Sequence, residues 1–457
     1  MKIYKVSIVP LLLFIGMLGL KSDLQAQDTY LNPSTDMKLL KQFQDAKLGM
    51  FVHWMACFSP ETSDSWGIGS PVKPKSVSDS ITLAWNPYNF DAKQMVQTAV
   101  DLGCKYMVVI SKHHDGYSIW PTAYSEFNIT KGAFKRDILK ELGAECKRQG
   151  LLYGIYYSIA DIDYAGWTKM ATVRSPIPSP VKGIPDFVEF NKNQVKELIT
   201  NYDPDILWFD GYWLDPDIWN ADRGRDLYHY IKSIKPNTLS TRLAITYNPE
   251  NPDLHTAANE SFVNDGSAGD FFAVEARSLK APIYPWEGCT SVSYPVYAYN
   301  PAAKLHTREE LILDFDKMVC ANGNFLLNIG PKDDGTLPEE LVARFGEMSQ
   351  WAKQNAKGIY NTKGGPFIQD EWGGSTYAKN KIYLHLRAAK GVLLLPALTG
   401  YQVKHIKSLA KNQKVKFRQL ADGQLEVTIP ADLARDTVTF LEITLDKEYV
   451  FQSWISV

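Results

Sequence analysis

Several short apolar runs in the sequence end in residues able to act on a ligand. LGMFVHW (48–54) ends in His53-Trp54, and KYMVVIS (105–111) runs into Lys112-His113-His114-Asp115-Gly116-Tyr117. LLYGIYYS (151–158) carries Tyr156-Tyr157-Ser158, and DILWFDG (205–211) carries Trp208-Phe209-Asp210-Gly211. A carboxylate such as Asp210, directly after ILWF, is costly to bury unless it faces a cleft. The alternative is a turn residue, since Asp-Gly is a frequent turn pair. Neutral imidazoles at strand ends suit hydrogen bonding to the hydroxyls of a polyol, with Trp54, Trp120 and Trp208 as apolar walls. Adjacent His113 and His114 on an extended strand would point to opposite faces, which argues against a shared metal ion. No CxxC or Cys/His cluster with zinc spacing occurs, so neither a metal nor an organic cofactor is expected.

These residues need a frame that gathers strand ends. Strands at 48–54, 105–111, 151–158, 205–211, near 239–245, at 270–275 and at 324–330 alternate with amphipathic helices at 90–103, 135–150, about 187–202, about 224–234, 308–323 and about 338–356. Repeated β–α order with near-continuous apolar strands predicts a parallel sheet covered by helices. The number of units favours a closed (β/α)8-like TIM barrel, whose reactive groups sit at the C-terminal ends of the strands. After Gly358 the pattern changes to period-two runs (382–386, 391–398, 402–409, 414–420, 424–430, 437–445), the signature of an antiparallel β-sandwich. The domain expectation is therefore a catalytic barrel over 28–360 and a C-terminal sandwich over 361–457.

Composition narrows the ligand. Lys plus Arg number 49 against 51 Asp plus Glu, a net charge of -2, so no broad positive field exists for nucleic acid or an anionic membrane. The 24 Tyr, 20 Phe and 12 Trp exceed what core filling obviously needs and suit walls for sugar rings or apolar ligands. Lys2 and Lys5 before an apolar run from Val6 to Leu20, then a polar stretch ending near Ala26, have the layout of a secretory signal peptide over 1–27. Pro10 and the shortness of the run argue against a membrane anchor, so export to the periplasm or medium is expected, with no stable membrane insertion. Five Cys scattered over the chain do not make a disulfide scaffold.

The segments LGMFVHW, KHHDGYSIWPTAYSEFN, YGIYYS, DILWFDGYW and GNFLLNIGPKDDGTLPEE together resemble the α-L-fucosidases of glycoside hydrolase family 29, in the family's order over about residues 40–360. The resemblance implies a retaining exo-glycosidase acting on fucosylated glycans, built as a barrel followed by a β-sandwich. It implies Asp210 as nucleophile, and His53, His113, His114, Tyr156 (Tyr157 if the register slips) and Trp208 as sugar-binding residues. It places Phe325 near the fucose methyl group and Trp66 and Trp286 among the site aromatics. A W-E-T-C-like segment of the family matches Pro285-Trp286-Glu287-Gly288-Cys289, which makes Glu287 the general acid/base, with Glu275 of DFFAVE as the alternative.

Two departures from the family pattern bear on specificity. Asp64-Ser65-Trp66-Gly67 stands where relatives carry an acid immediately before the Trp, and Asp270-Phe271-Phe272 lacks the Arg some relatives have, the next Arg downstream being Arg277. A catalytically impaired sugar-binding protein on the same scaffold, or a glycosidase for a sugar of similar hydroxyl configuration, therefore stays open. The stretch 160–190 is either a subsite loop or a connector. Linkage preference and oligomeric state are not encoded in any feature of the sequence.

Overall fold

The computed structural model describes residues 32–54, 75–165, 183–212, 214–215, 217–243, 269–275, 278–282, 284–387, 391–431, 433 and 436–457. Trp66, the Asp64-Ser65 departure, Arg277, the 1–27 segment and most of the 160–190 loop lie outside them. Eight parallel strands come first: β1 Leu48–Val52, β2 Tyr106–Lys112, β3 Leu152–Ser158, β4 Ile206–Asp210, β5 Leu239–Ser240, β6 Phe272–Glu275, β7 Trp286–Ser291 and β8 Asn324–Asn328. They pair in the order β5-β4-β3-β2-β1-β8-β7-β6. The two ends meet at a parallel bridge between Thr241 and Phe271, where the Asp270 amide donates to the Ser240 carbonyl at 2.8 Å. Strand follows strand around a closed ring, the barrel expected from the β–α repeat.

Period-two alternation sends side chains to two cores. Phe51, Tyr106, Val108, Ile110, Tyr156, Trp208, Cys289 and Leu326 fill the barrel interior. The helix α1, Met37–Ala46, closes its N-terminal end with Leu39, Leu40 and Phe43. Asp36 starts α1 by accepting hydrogen bonds from the amides of Lys38 and Leu39, which satisfies two of the orphan donors of the first turn. The opposite residues of the same strands, among them Met107, Tyr157, Phe209, Trp286, Phe325 and Leu327, pack outward against the helices. The helix Ile138–Gln149 shows how sequence sets these supports. Asp137 caps its start by accepting from Lys140, Ile138, Leu139, Leu142 and Cys146 are buried, and Gly150 ends it in the left-handed region. Each such buried aliphatic side chain contributes about 1.5–3 kcal/mol relative to exposure.

The strand β7 was not among the expected elements. Its sequence, WEGCTS, contains Gly and few strand-favouring residues, and it is buried along its whole length, so no alternation marks it.

The last barrel helix ends at Ile359 and the first strand of the following unit starts at Lys363. That unit has β9 Lys363–Gly364, β10 Gly373–Ala378, β11 Lys381–Leu386, β12 Val392–Leu395, β13 Val403–Ser408, β14 Lys414–Val415, β15 Phe417–Gln419, β16 Leu425–Thr428 and β17 Thr439–Leu445. They form a six-stranded antiparallel sheet, β9-β10-β11-β17-β13-β14, and a three-stranded one, β12-β16-β15. Leu384, Leu395, Val427, Leu441 and Ile443 form the shared core of this sandwich. A buried polar cluster joins it to the barrel. Asp316, on the helix Arg308–Cys320, accepts from Arg387 Nε at 2.8 Å and pairs with His385 Nδ1 at 2.6 Å.

Candidate active site

The candidate site lies over the C-terminal ends of β1 to β4, with residues from the ends of β6 and β8. Asp210 is the last residue of β4, with its side chain 26% exposed. Buried Tyr156 donates to its Oδ2 at 2.7 Å, and Gly211, at φ 67°, donates its amide to Oδ1 at 2.7 Å. The positive φ at residue 211 suits Gly, and a Cβ there would lie 2.5 Å from the Ala160 amide nitrogen. Asp210 thus has its carboxylate held at both oxygens while still reaching solvent.

Three imidazoles surround it, and all are neutral. Burial pushes the His53 pKa down to about 3 and depresses those of His113 and His114 as well. Asn328 Oδ1 accepts from the His53 amide at 3.0 Å and contacts its Nδ1 at 2.9 Å, while Asn328 Nδ2 donates to Ser291 Oγ and the Tyr297 carbonyl. The amide is thereby oriented, His53 carries its proton on Nδ1, and its Nε2 is an acceptor. Ser158 donates to the Ala160 carbonyl at 2.7 Å and so accepts from His114 Nδ1, also at 2.7 Å. That leaves His114 Nε2 as a lone pair 3.7 Å from Asp210 Oδ2. Neutral rings of fixed tautomer are what a neutral polyol requires.

The sequence expectation that His113 and His114 diverge is corrected. The strand β2 stops at Lys112, its register against β3 shifts between Ile110 and Lys112, and the chain then turns, with Gly116 donating its amide to the His113 carbonyl. A bulge followed by a turn re-aims both rings, whose centroids lie 4.0 Å apart. Ligating atoms of His113, His114 and Asp210 all lie within 4.8 Å of one another, so among the described residues this trio could hold a cation. Behind it, fully buried Lys112 pairs with Asp161 at 2.8 Å and lies 4.4 Å from the Tyr157 ring centroid, pinning the turn from below.

Aromatic residues divide by face. Tyr156 stacks on His113 (5.6 Å, 5°) and on Trp208 (5.4 Å, 20°), and Tyr297 lies 4.8 Å from the His53 ring. Trp286 and Phe325 are placed elsewhere, which corrects both expectations. Trp286 donates to the Ala321 carbonyl in the outer core, and Phe325 stacks on Phe315 of the covering helix, each having the outward parity of its strand. Trp54 and Trp120 are likewise outer-core residues that donate to the Lys332 carbonyl and to Glu197.

The two carboxyls considered for proton transfer share the inward parity of their strands and are separated by depth. Glu287, the second residue of β7, is fully buried, accepts from Trp208 Nε1 at 2.9 Å and from the Tyr106 hydroxyl, and is pushed up to about 7 by burial. It lies beneath Trp208, away from the pocket mouth. Glu275, at the C-terminal end of β6, is exposed and hydrogen-bonded by Tyr297. Its charge and that of Asp210 act together on Tyr156, Tyr212 and Cys289. Arg242, just after β5, lies with its guanidinium 3.7 Å from the Phe272 ring centroid. It brings a cation to the segment whose sequence lacks one. Asn328, Tyr297 and Arg242 are residues around the site that motif reading did not assign, whereas Ser158 belongs to a strand end already singled out. Asn328 had the same signal, a polar residue ending an otherwise apolar strand.

A closed (β/α)8 barrel with a partly exposed carboxylate, neutral imidazoles and stacked aromatics at its C-terminal face defines a carbohydrate-active enzyme. The α-L-fucosidase family model matches residues 20–357, and the chain belongs to that family of glycoside hydrolases. It is 28% identical over 350 residues to the plasma α-L-fucosidase of Rattus norvegicus, covering 70% of each chain. It is 26% identical over 439 residues to the tissue α-L-fucosidase of Homo sapiens, covering 87% of each. Among solved structures, α-L-fucosidase isoenzyme 1 from Paenibacillus thiaminolyticus superposes with a TM-score of 0.72 at 26% identity, covering 90% of this chain and 99% of that one. The Bacteroides thetaiotaomicron GH29 enzyme, trapped as a covalent intermediate with 2-fluoro-fucosyl fluoride, shares the fold with a TM-score of 0.77 at 21% identity, covering 92% of this chain and 99% of that one.

Proposed function

We propose that this enzyme releases terminal α-L-fucose from oligosaccharides or glycoconjugates by double displacement, with Asp210 as nucleophile and Glu275 as general acid/base. The observation that carries the reading is the Asp210 carboxylate, held by Tyr156 and Gly211 yet open to the pocket. Its oxygen attacks the anomeric carbon as the glycosidic C–O bond breaks, and the Glu275 carboxyl gives its proton to the departing oxygen. The Glu275 carboxylate then takes a proton from water, the water oxygen bonds to the anomeric carbon, and Asp210 is released. Retention needs the two carboxyls about 5–5.5 Å apart. Glu287 does not suit the role the motif implied, because both its oxygens are engaged by Tyr106 and Trp208 beneath the pocket. Covalent trapping of the Bacteroides thetaiotaomicron relative supports the two-step course.

The test is turnover of an aryl α-L-fucoside and a panel of fucosylated oligosaccharides. Asp210→Ala should abolish release, while tight fucose binding without turnover by the wild type would favour the impaired-binder reading and sink this one. Azide should rescue Glu275→Ala as a retained fucosyl azide. Rescue of Glu287→Ala instead, or of neither, would overturn the acid/base assignment. We also propose export, to periplasm or medium, on the N-terminal pattern Lys2, Lys5 and 6–20. No helix among the described residues is long and apolar enough to cross a membrane. A mature N-terminus at Met1 would contradict cleavage near Gln27.

A further inference from the structure

Glu287 is a carboxylate on the floor of the barrel, a place where an ion is expensive. It is fully buried, and burying a charge costs several kcal/mol unless it is hydrogen-bonded. Two donors converge on it. Trp208 Nε1 donates to Oε1 at 2.9 Å and the Tyr106 hydroxyl donates to Oε2. An indole N–H can only donate, and a carboxylate accepts at both of its oxygens, so this residue type satisfies the pair with one side chain. The surroundings are fitted to the arrangement. Tyr106 is held edge-on by Phe43 of α1 at 5.3 Å, and its ring fills the space beside Gly49, where any Cβ would clash.

Depth separates Glu287 from the chemistry. Across the β6–β7 pairing Glu287 faces Ala273, whereas Glu275 faces Cys289. Two residues of strand place Glu287 about 7 Å deeper than the level of Glu275. Above Glu287 the contacts are continuous. The tethered Trp208 ring stacks on Tyr156 at 5.4 Å, and the Tyr156 hydroxyl donates to Asp210 Oδ2 at 2.7 Å. Phe51 packs against the indole at 5.3 Å, tilted by 55°.

We infer that Glu287 is a positioning residue: by fixing the Trp208 indole it sets the plane on which Tyr156 lies, and through Tyr156 the orientation of the Asp210 carboxylate. The kinetic part of this inference rests on the fucosidase reading, and a spectroscopic part does not. In Glu287→Gln the amide oxygen still accepts from the indole and the NH2 can donate to Tyr106, so geometry is kept. In Glu287→Ala the tether is lost.

The experiment compares wild type, Glu287→Gln and Glu287→Ala on aryl α-L-fucosides with good and poor leaving groups, with and without azide. Glu287→Gln should stay within about 5-fold of wild type. Glu287→Ala should lose about 10–100-fold in kcat, the scale of a misplaced reacting group, with KM little changed. The loss should be equal for both leaving groups and not be rescued by azide. Adding Tyr156→Phe to Glu287→Ala should cost less than Tyr156→Phe alone, because both act through one chain of contacts. Independently of activity, the indole N–H resonance of Trp208, assigned by its disappearance in Trp208→Phe, should be slow to exchange in wild type and Glu287→Gln. It should be fast in Glu287→Ala. Unchanged kcat in Glu287→Ala, additive effects with Tyr156→Phe, or a Gln variant impaired only on poor leaving groups would each overturn the inference. If Glu287→Ala fails to fold, a fast-exchanging Trp208 N–H or a kcat loss above 10-fold in Glu287→Gln would overturn it.

Discussion

Asn328→Asp puts a charge where the structure has an amide and tests whether His53 works as a neutral ring. In the wild type burial drives the His53 pKa down to about 3, against the pull of the Asn328 hydrogen bond and of Asp210. The ring is then neutral throughout the range in which the enzyme could act. An Asp at 328 keeps the acceptor at 2.9 Å from Nδ1 but adds a full negative charge. At about 4 Å and an effective dielectric of about 20 the attraction is about 4 kcal/mol, or about 3 pKa units. Desolvation of the new carboxylate offsets part of this, and neighbouring charges ordinarily shift a group by about 1–3 units. The His53 pKa should rise to about 4–6, and protonation would remove the Nε2 lone pair that is free to accept from a sugar hydroxyl in the proposed role. The assay is kcat/KM for an aryl fucoside from pH 3.5 to 8, with 15N NMR of the histidines. The variant should lose activity on the acid side at a pH about 1–3 units above any such loss in wild type, and approach wild type near pH 8. The variant also gives up donors to Ser291 and Tyr297, at about 1–3 kcal/mol for a buried group left unsatisfied. Melting curves at each pH separate that loss from titration. Superimposed pH profiles, or identical profiles for Asn328→Asp and Asn328→Ala, would refute the reasoning.

Three further outcomes follow from named contacts. Asp316→Asn should destabilise the protein by about 3–5 kcal/mol in chemical denaturation, the cost of breaking a buried ion cluster, while leaving KM for small substrates unchanged. Burial alone would raise the Asp316 pKa, but His385 and Arg387 outweigh it and hold it below the usual value, so its contribution is present above the unfolded pKa, about 3.9, and lost as pH falls through the lower folded value. A pH-independent difference between variant and wild type from pH 2 to 7 would contradict this. Gly211→Ala should cut kcat by about 10-fold or more without unfolding the barrel, since a Cβ would meet Ala160 and displace the amide that holds Asp210; wild-type turnover would show that this amide does not matter. Chelator should leave activity unchanged, and millimolar Zn2+ should inhibit competitively with fucose at His113, His114 and Asp210; loss of activity on chelation would reveal a resident metal.

The barrel was legible because its β–α punctuation is strong, and Asp210 and the imidazoles because they follow apolar runs at the ends of strands. Motifs carry neither parity nor depth. Trp286 and Phe325 lie on the outward side of their strands, Glu287 lies inward but two residues below Glu275, and β7 is not recognisable as a strand from its sequence. Once its span is known, alternation sends Glu287 and Cys289 inward and Trp286 outward, and on β8 it sends Leu326 and Asn328 inward and Phe325 outward. His113 and His114 converge for a related reason, since a bulge and a turn intervene where their adjacency predicts an extended strand. Tyr297 reaches the His53 ring, and Arg242 the Phe272 ring, from outside the strands, and no periodicity assigns a loop side chain to a site.

The most direct test of the central claim is to trap the intermediate. Wild-type protein incubated with 2-fluoro-fucosyl fluoride, digested and sequenced by mass spectrometry should carry one fluorofucosyl group, on Asp210. Asp210→Asn should carry none. A label on any other residue, or an intact label in Asp210→Asn, would contradict the account.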